Sequence, residues 1–117
     1  MYDLNSAFNI KQHKAHFIDY LEVVVFPDGH IEYATPSHQE KLIKVACDLN
    51  NWTRNQLNKE CPEEYYFDFM TWLCNITGCI ALWCEYAVLP EDKSIITSAQ
   101  KNSIQELIDN GLYEGKI

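Results

Sequence analysis

Five cysteines and four histidines carry the widest chemical repertoire in this 117-residue chain, and their spacing limits what they can do. Cys74, Cys79 and Cys84 recur every five residues. On a continuous helix that step turns about 500°, so consecutive thiols point about 140° apart and share no face. A shared metal is not expected there, and small buried apolar side chains are. No C-x-x-C pair occurs, so neither a zinc knuckle nor a dithiol redox site is expected. Cys61 precedes a predicted helix start, where the helix dipole favours a thiolate, but Glu60, Glu63 and Glu64 crowd it and oppose that effect. It is read as structural. His30 and Glu32 fall on one face of a predicted strand, a pairing suited to proton transfer, with a solvated hairpin edge as the plain alternative. His13 and His16 need a ligand from elsewhere to complete a metal site. Among only four glycines there is no phosphate loop, nucleophile elbow or zincin pattern. No catalytic residue, metal ligand or cofactor is assigned.

A different chemistry is written between residues 60 and 69. Glu60, Glu63, Glu64 and Asp68 supply four carboxylates and no base, interleaved with Tyr65, Tyr66, Phe67 and Phe69. The aromatics are too many for one helix face to bury, so part of the cluster is expected at the surface. Carboxylates beside exposed aromatics suit contact with a basic protein partner. A solvated acidic face is the bland alternative.

The elements that must position these residues read as α+β. Residues 17–34 are rich in β-branched and aromatic side chains around Pro27-Asp28-Gly29, a sequence for a three-residue hairpin loop. In that register Phe26 faces His30 and Val24 faces Glu32. Leu21, Val23, Val25, Ile31 and Tyr33 form a core face. Tyr20, Glu22, Val24, Phe26, His30 and Glu32 form the other, whose mixed character suggests an interface. Tyr20, Val24 and Phe26 are its binding candidates, covered by a partner, a second copy or the segment holding Leu4, Phe8 and Ile10. Ser37 and Glu40 make a capping box before a helix with Leu42, Val45, Ala46 and Leu49 at helical spacing. Asn50-Asn51 ends it, and Thr53 with Gln56 opens a short second helix. A third is expected from about Pro62 to Ala87, with Asp68, Thr71, Asn75, Gly78 and Glu85 as its polar stripe. The competing reading stops it at Gly78 and makes residues 79–88 a third strand. Thr97 and Gln100 start a last helix that Gly111 caps. The expectation is one domain over residues 1–117, a hairpin packed on three to four helices, with residues 1–16 a polar lead-in.

Composition bounds the function. Hydrophobic residues make up 47% and aromatics 13%, enough for a core, which argues against disorder. The net charge of −8 repels phosphate backbones and anionic lipid, so direct nucleic-acid binding is not expected. The short helices around Asn50-Asn51 loosely match a helix-turn-helix, but a local charge of +1 between residues 38 and 61 offers phosphate little. The longest apolar stretch is shorter than the ~20 residues of a membrane helix, so no membrane role is expected. An odd cysteine count without a secretory signal points to free thiols in the cytoplasm.

Residues 26–34, Phe-Pro-Asp-Gly-His-Ile-Glu-Tyr-Ala, residues 36–43, Pro-Ser-His-Gln-Glu-Lys-Leu-Ile, and residues 61–69, Cys-Pro-Glu-Glu-Tyr-Tyr-Phe-Asp-Phe, resemble small accessory proteins of prophages and conjugative elements in Gram-positive bacteria. The resemblance runs from about residue 17 and implies an accessory role in a mobile element, without transferring active residues. The leading expectation is a non-enzymatic protein that binds another protein or a second copy of itself. The alternatives are an acidic nucleic-acid mimic that blocks a host-defence or DNA-processing enzyme, and a small enzyme using Cys61 or the His30–Glu32 pair.

Overall fold

The computed structural model describes residues 22–115. Tyr20, Leu21, His13, His16 and the anchors Leu4, Phe8 and Ile10 lie outside them. The fold is α+β: a four-stranded antiparallel sheet with helices against both faces. Strands β1 (Glu22–Val25) and β2 (Ile31–Tyr33) form the first hairpin, and helices α1 (His38–Asn50) and α2 (Arg54–Glu60) follow. A 3-10 turn (Glu63–Tyr65) leads to α3 (Phe69–Thr77), then strands β3 (Ile80–Trp83) and β4 (Tyr86–Val88). A second 3-10 turn (Lys93–Ile95) precedes α4 (Ser98–Asp109). The strand order is β2-β1-β3-β4.

The first hairpin has the register its turn residues dictate. Val24 pairs with Glu32 and Val25 with Ile31, while the Phe26 N–H donates to the His30 carbonyl at 2.9 Å. Gly29 takes the positive φ, 89°, that the loop requires. Val23, Val25 and Ile31 join Ile80 and Leu82 beneath α4, where Ile96, Ile104, Leu107, Leu112 and Tyr113 complete one core layer. The opposite face, expected as an interface, is a second core layer. Val24 is completely buried there with Ala81, under Leu42, Ile43 and Ala46 of α1, Leu57 of α2, and Trp72, Leu73 and Cys74 of α3. Phe26 is half-buried against the same layer and stacks on His30 at 4.1 Å. Cover for this face comes from the chain's own helices, so the Val24 side chain is open to no partner.

The long helix expected over residues 62–87 does not form. Pro62 opens only a 3-10 turn, α3 starts at Phe69, and Gly78 ends α3 in the left-handed conformation with φ 72°. That conformation is strained for any residue with a Cβ, which makes Gly78 a natural stop. Residues 79–88 then make two strands rather than one. β3 pairs with β1, Val24 facing Ala81 and Val25 facing Ile80, and β4 pairs back on β3. A central strand bridging two hairpins supplies the support that an isolated hairpin lacks.

The local start and stop signals formed largely as expected. Thr53–Gln56 and Thr97–Gln100 are complete reciprocal capping boxes. Ser37 caps α1 by accepting from the Glu40 N–H at 3.1 Å. The Glu40 carboxylate does not close that box, because it accepts two hydrogen bonds from Arg54 of α2, at 2.7 and 2.8 Å. Asn51 stops α1 with φ 56°, and Gly111 takes φ 71° just beyond α4.

Candidate functional site

The segment joining α2 to α3 is where the sequence places its carboxylates and aromatics together. Cys61 is buried, and Pro62 sets up the turn at residues 63–65, held by the Tyr65 N–H to the Pro62 carbonyl at 2.9 Å. The chain then has to reach the start of α3 within three residues. Phe69 turns inward and stacks on Trp72 at 5.6 Å. Phe67 has no such cover and is fully exposed, and Tyr66 is 62% exposed. Glu60, Glu63, Glu64 and Asp68, their neighbours in sequence, are all exposed. A cleft of about 330 Å³ opens beside this turn, lined by Gln39, Asn58, Cys61, Tyr66 and Phe69.

A long-range contact fixes the turn and enlarges the surface. The Tyr65 hydroxyl donates to the Glu91 carboxylate, which also accepts from the Asn75 amide at 2.8 Å. The Asn75 carbonyl oxygen in return accepts the Glu91 N–H at 2.8 Å. The hydrogen bond from Tyr65, then that from Asn75, holds the Glu91 carboxyl below its ordinary pKa, so it stays ionised. The same contact raises the Tyr65 phenol. A second cleft, lined by Asn75, Glu91, Asp92 and Ile95, adjoins this latch, and Ile95 is itself exposed. From Glu60 to Asp92 the chain carries seven carboxylates and no Lys, Arg or His. Asn75, Glu91, Asp92 and Ile95 are not among the binding residues expected from the sequence. No local pattern signals a contact between residues 26 positions apart.

The proton-transfer pair read from the sequence also comes together, but every member is engaged. His30 Nε2 lies 2.7 Å from Glu32 Oε2, and His30 Nδ1 lies 2.5 Å from Asp28 Oδ1. The other Glu32 oxygen pairs with Lys41 of α1 at 2.5 Å. Burial pushes the Glu32 carboxyl up, but hydrogen bonds from Lys41 and His30 outweigh it and hold the group below its ordinary value. Asp28 is lowered by the His30 N–H and then by the His30 ring. With a carboxylate oxygen at each ring nitrogen, this chain of polar contacts ties the hairpin loop to α1 and leaves neither nitrogen turned to a substrate.

Three of the five thiols, Cys61, Cys74 and Cys79, are buried, and Cys47 and Cys84 are partly exposed. Burial raises Cys61, pushes Cys74 up to about 12 and Cys79 up to about 11. None of the five cysteines is joined in a disulfide. Among the described residues no group of three or more His, Cys, Asp and Glu is placed to hold a metal, and no helix is long and apolar enough to cross a membrane.

Comparison with protein-family models, curated proteins and solved structures finds no match to this chain.

Proposed function

We propose that this chain is a non-enzymatic accessory protein that binds another protein through the surface built on Tyr66, Phe67 and the cleft that Tyr66 lines. The observation that carries the reading is Phe67, fully exposed next to a Tyr66 that is mostly exposed. Single apolar residues at a surface need no explanation. Two adjacent aromatics presented by a turn that is latched through Tyr65 to Glu91 are different, because the latch restrains the turn before any partner arrives. Aromatic anchors beside pockets are the residues that dominate protein–protein affinity. Burying apolar area gains roughly 25 cal/mol per Å², so the pair offers several kcal/mol against the costs of association. The accessory role in a mobile element implied by the resemblance is compatible with a small binding module of this kind.

The test compares the full chain with a Tyr66→Ala/Phe67→Ala variant and a Leu49→Ala control, each used to capture proteins from extract of the source cell. Leu49 on α1 is as exposed as Tyr66 and lies away from the turn in sequence. A retained protein that is lost with the double variant and kept with the control supports the reading. Equal retention by all three sinks it.

A further inference from the structure

The chemistry around Phe67 narrows the partner, and this step rests on the protein-binding reading above. We propose that the occupant is a segment of a partner protein in which Lys or Arg side chains alternate with apolar ones. Two features of one surface ask for these two chemistries at once. The exposed rings of Tyr66 and Phe67 offer apolar contact, and Tyr66 and Phe69 line one wall of the cleft beside them. Glu63, Glu64 and Asp68, all exposed, lie within four residues of the rings in sequence, and the neighbouring Tyr65 donates to a further carboxylate, Glu91.

Charge complementarity excludes the other occupants. A purely apolar segment would desolvate carboxylates without pairing them, which opposes binding. An acidic or phosphorylated segment, or a nucleic acid, would meet like charge across a stretch that holds no base. A second copy of this chain docked turn to turn would set these carboxylates against one another. A guanidinium or ammonium group instead gains a carboxylate and an aromatic face together, since the ring quadrupole attracts cations.

The experiment titrates the isotope-labelled full chain with three synthetic peptides of equal length: Arg alternating with Leu, Ser alternating with Leu, and Glu alternating with Leu. The Arg–Leu peptide should shift the amide signals of residues 63–69 and 91–95 and leave those of Gln105, Glu106 and Asp109 on α4 in place. Its affinity should fall roughly tenfold on going from low to physiological salt, as screened ion pairs require. Phe67→Ala, and separately Glu63→Gln/Glu64→Gln, should each weaken it about tenfold. Phe67 packs against nothing, so its variant keeps the fold, and an unchanged spectrum elsewhere verifies that.

Equal shifts with the Ser–Leu or Glu–Leu peptide would overturn the basic occupant while leaving the surface a protein-binding one. Shifts spread over acids on all sides, or an Arg–Leu affinity unchanged by Phe67→Ala, would also overturn it, as would no response at this surface. The capture experiment reports on the protein-binding reading independently of these outcomes.

Discussion

The Gln100 side-chain amide donates to the Val25 carbonyl at 3.1 Å from the first turn of α4. The same Nε2 donates to the Gly78 carbonyl at 2.7 Å, and Oε1 accepts the Thr97 N–H at 3.0 Å. One completely buried side chain therefore caps α4, holds the end of β1 and fixes the corner between α3 and β3.

Replacing Gln100 should expose how much depends on it. Gln100→Ala takes this donor from the buried Val25 carbonyl and the part-buried Gly78 carbonyl, at about 1–3 kcal/mol for a buried group in the general case, and removes half of a capping box. A loss of about 2–4 kcal/mol is expected in chemical denaturation. Gln100→Glu keeps the shape but turns a carboxylate toward the same carbonyls, so it should be at least as damaging. A variant as stable as the parent in either case would mean that α4 docks without this contact.

Val24 and Phe67 give opposite expectations for two apolar residues that sequence reasoning placed in candidate interfaces. Val24→Ser puts an unpaired hydroxyl and a void into a sealed layer, so it should cost about 2–4 kcal/mol. Phe67→Ala should stay within about 0.5 kcal/mol, as surface substitutions usually do. Thermal unfolding of the two single variants measures both. A tolerated Val24→Ser would contradict the packing of α1 and α3 over β1.

The difference between these residues shows what the sequence could and could not convey. Hairpin register was legible because Pro27-Asp28-Gly29 fixes the loop and alternation does the rest. The helix caps were legible because each lies within four residues. Glu22 and Glu32 made the second face look wet, yet Glu32 sits on edge strand β2, where Lys41 and His30 pair it. Val24 lies one strand further in, under the helices. The run Ile80-Ala81-Leu82 is covered on both faces and so shows no alternation, which let the polar spacing from Asp68 to Glu85 imitate a helix. At the candidate site, the excess of aromatics over available helix face announced exposure, whereas Glu91 arrives only by folding.

The hairpin charge network predicts a pH dependence of definite sign. Asp28 and Glu32 ionise below their ordinary values of 3.8 and 4.5 in the folded chain. The stability they contribute is therefore present above about pH 4.5 and is lost as pH falls through the lower folded values. Glu32→Gln should lower the melting temperature at neutral pH, and the gap to the parent should close toward pH 3. A gap that stays constant over that range would show that the carboxylate contributes shape rather than charge.

Thiol reactivity is the remaining expectation, and it separates the five cysteines. The thiolate is the reactive species, so alkylation at neutral pH needs both access and a pKa near the working pH. Cys74 and Cys79 have neither: both are fully buried, and burial pushes their thiols up to about 12 and about 11. Cys74 also lies 3.6 Å from the Val88 carbonyl, which its S–H can reach. Cys61 is buried at the floor of the first cleft and is likewise raised by burial. Cys47 and Cys84 are partly exposed. Brief iodoacetamide treatment of the native chain, followed by peptide mass spectrometry, should therefore label Cys47 and Cys84 well ahead of the other three. In denaturant all five should react alike, because the environments that distinguish them are gone. Fast labelling of Cys61 in the native chain would reverse its assignment: it would mean an activated thiol facing the cleft beside Tyr66, and with it a catalytic role for a surface read here as a docking site.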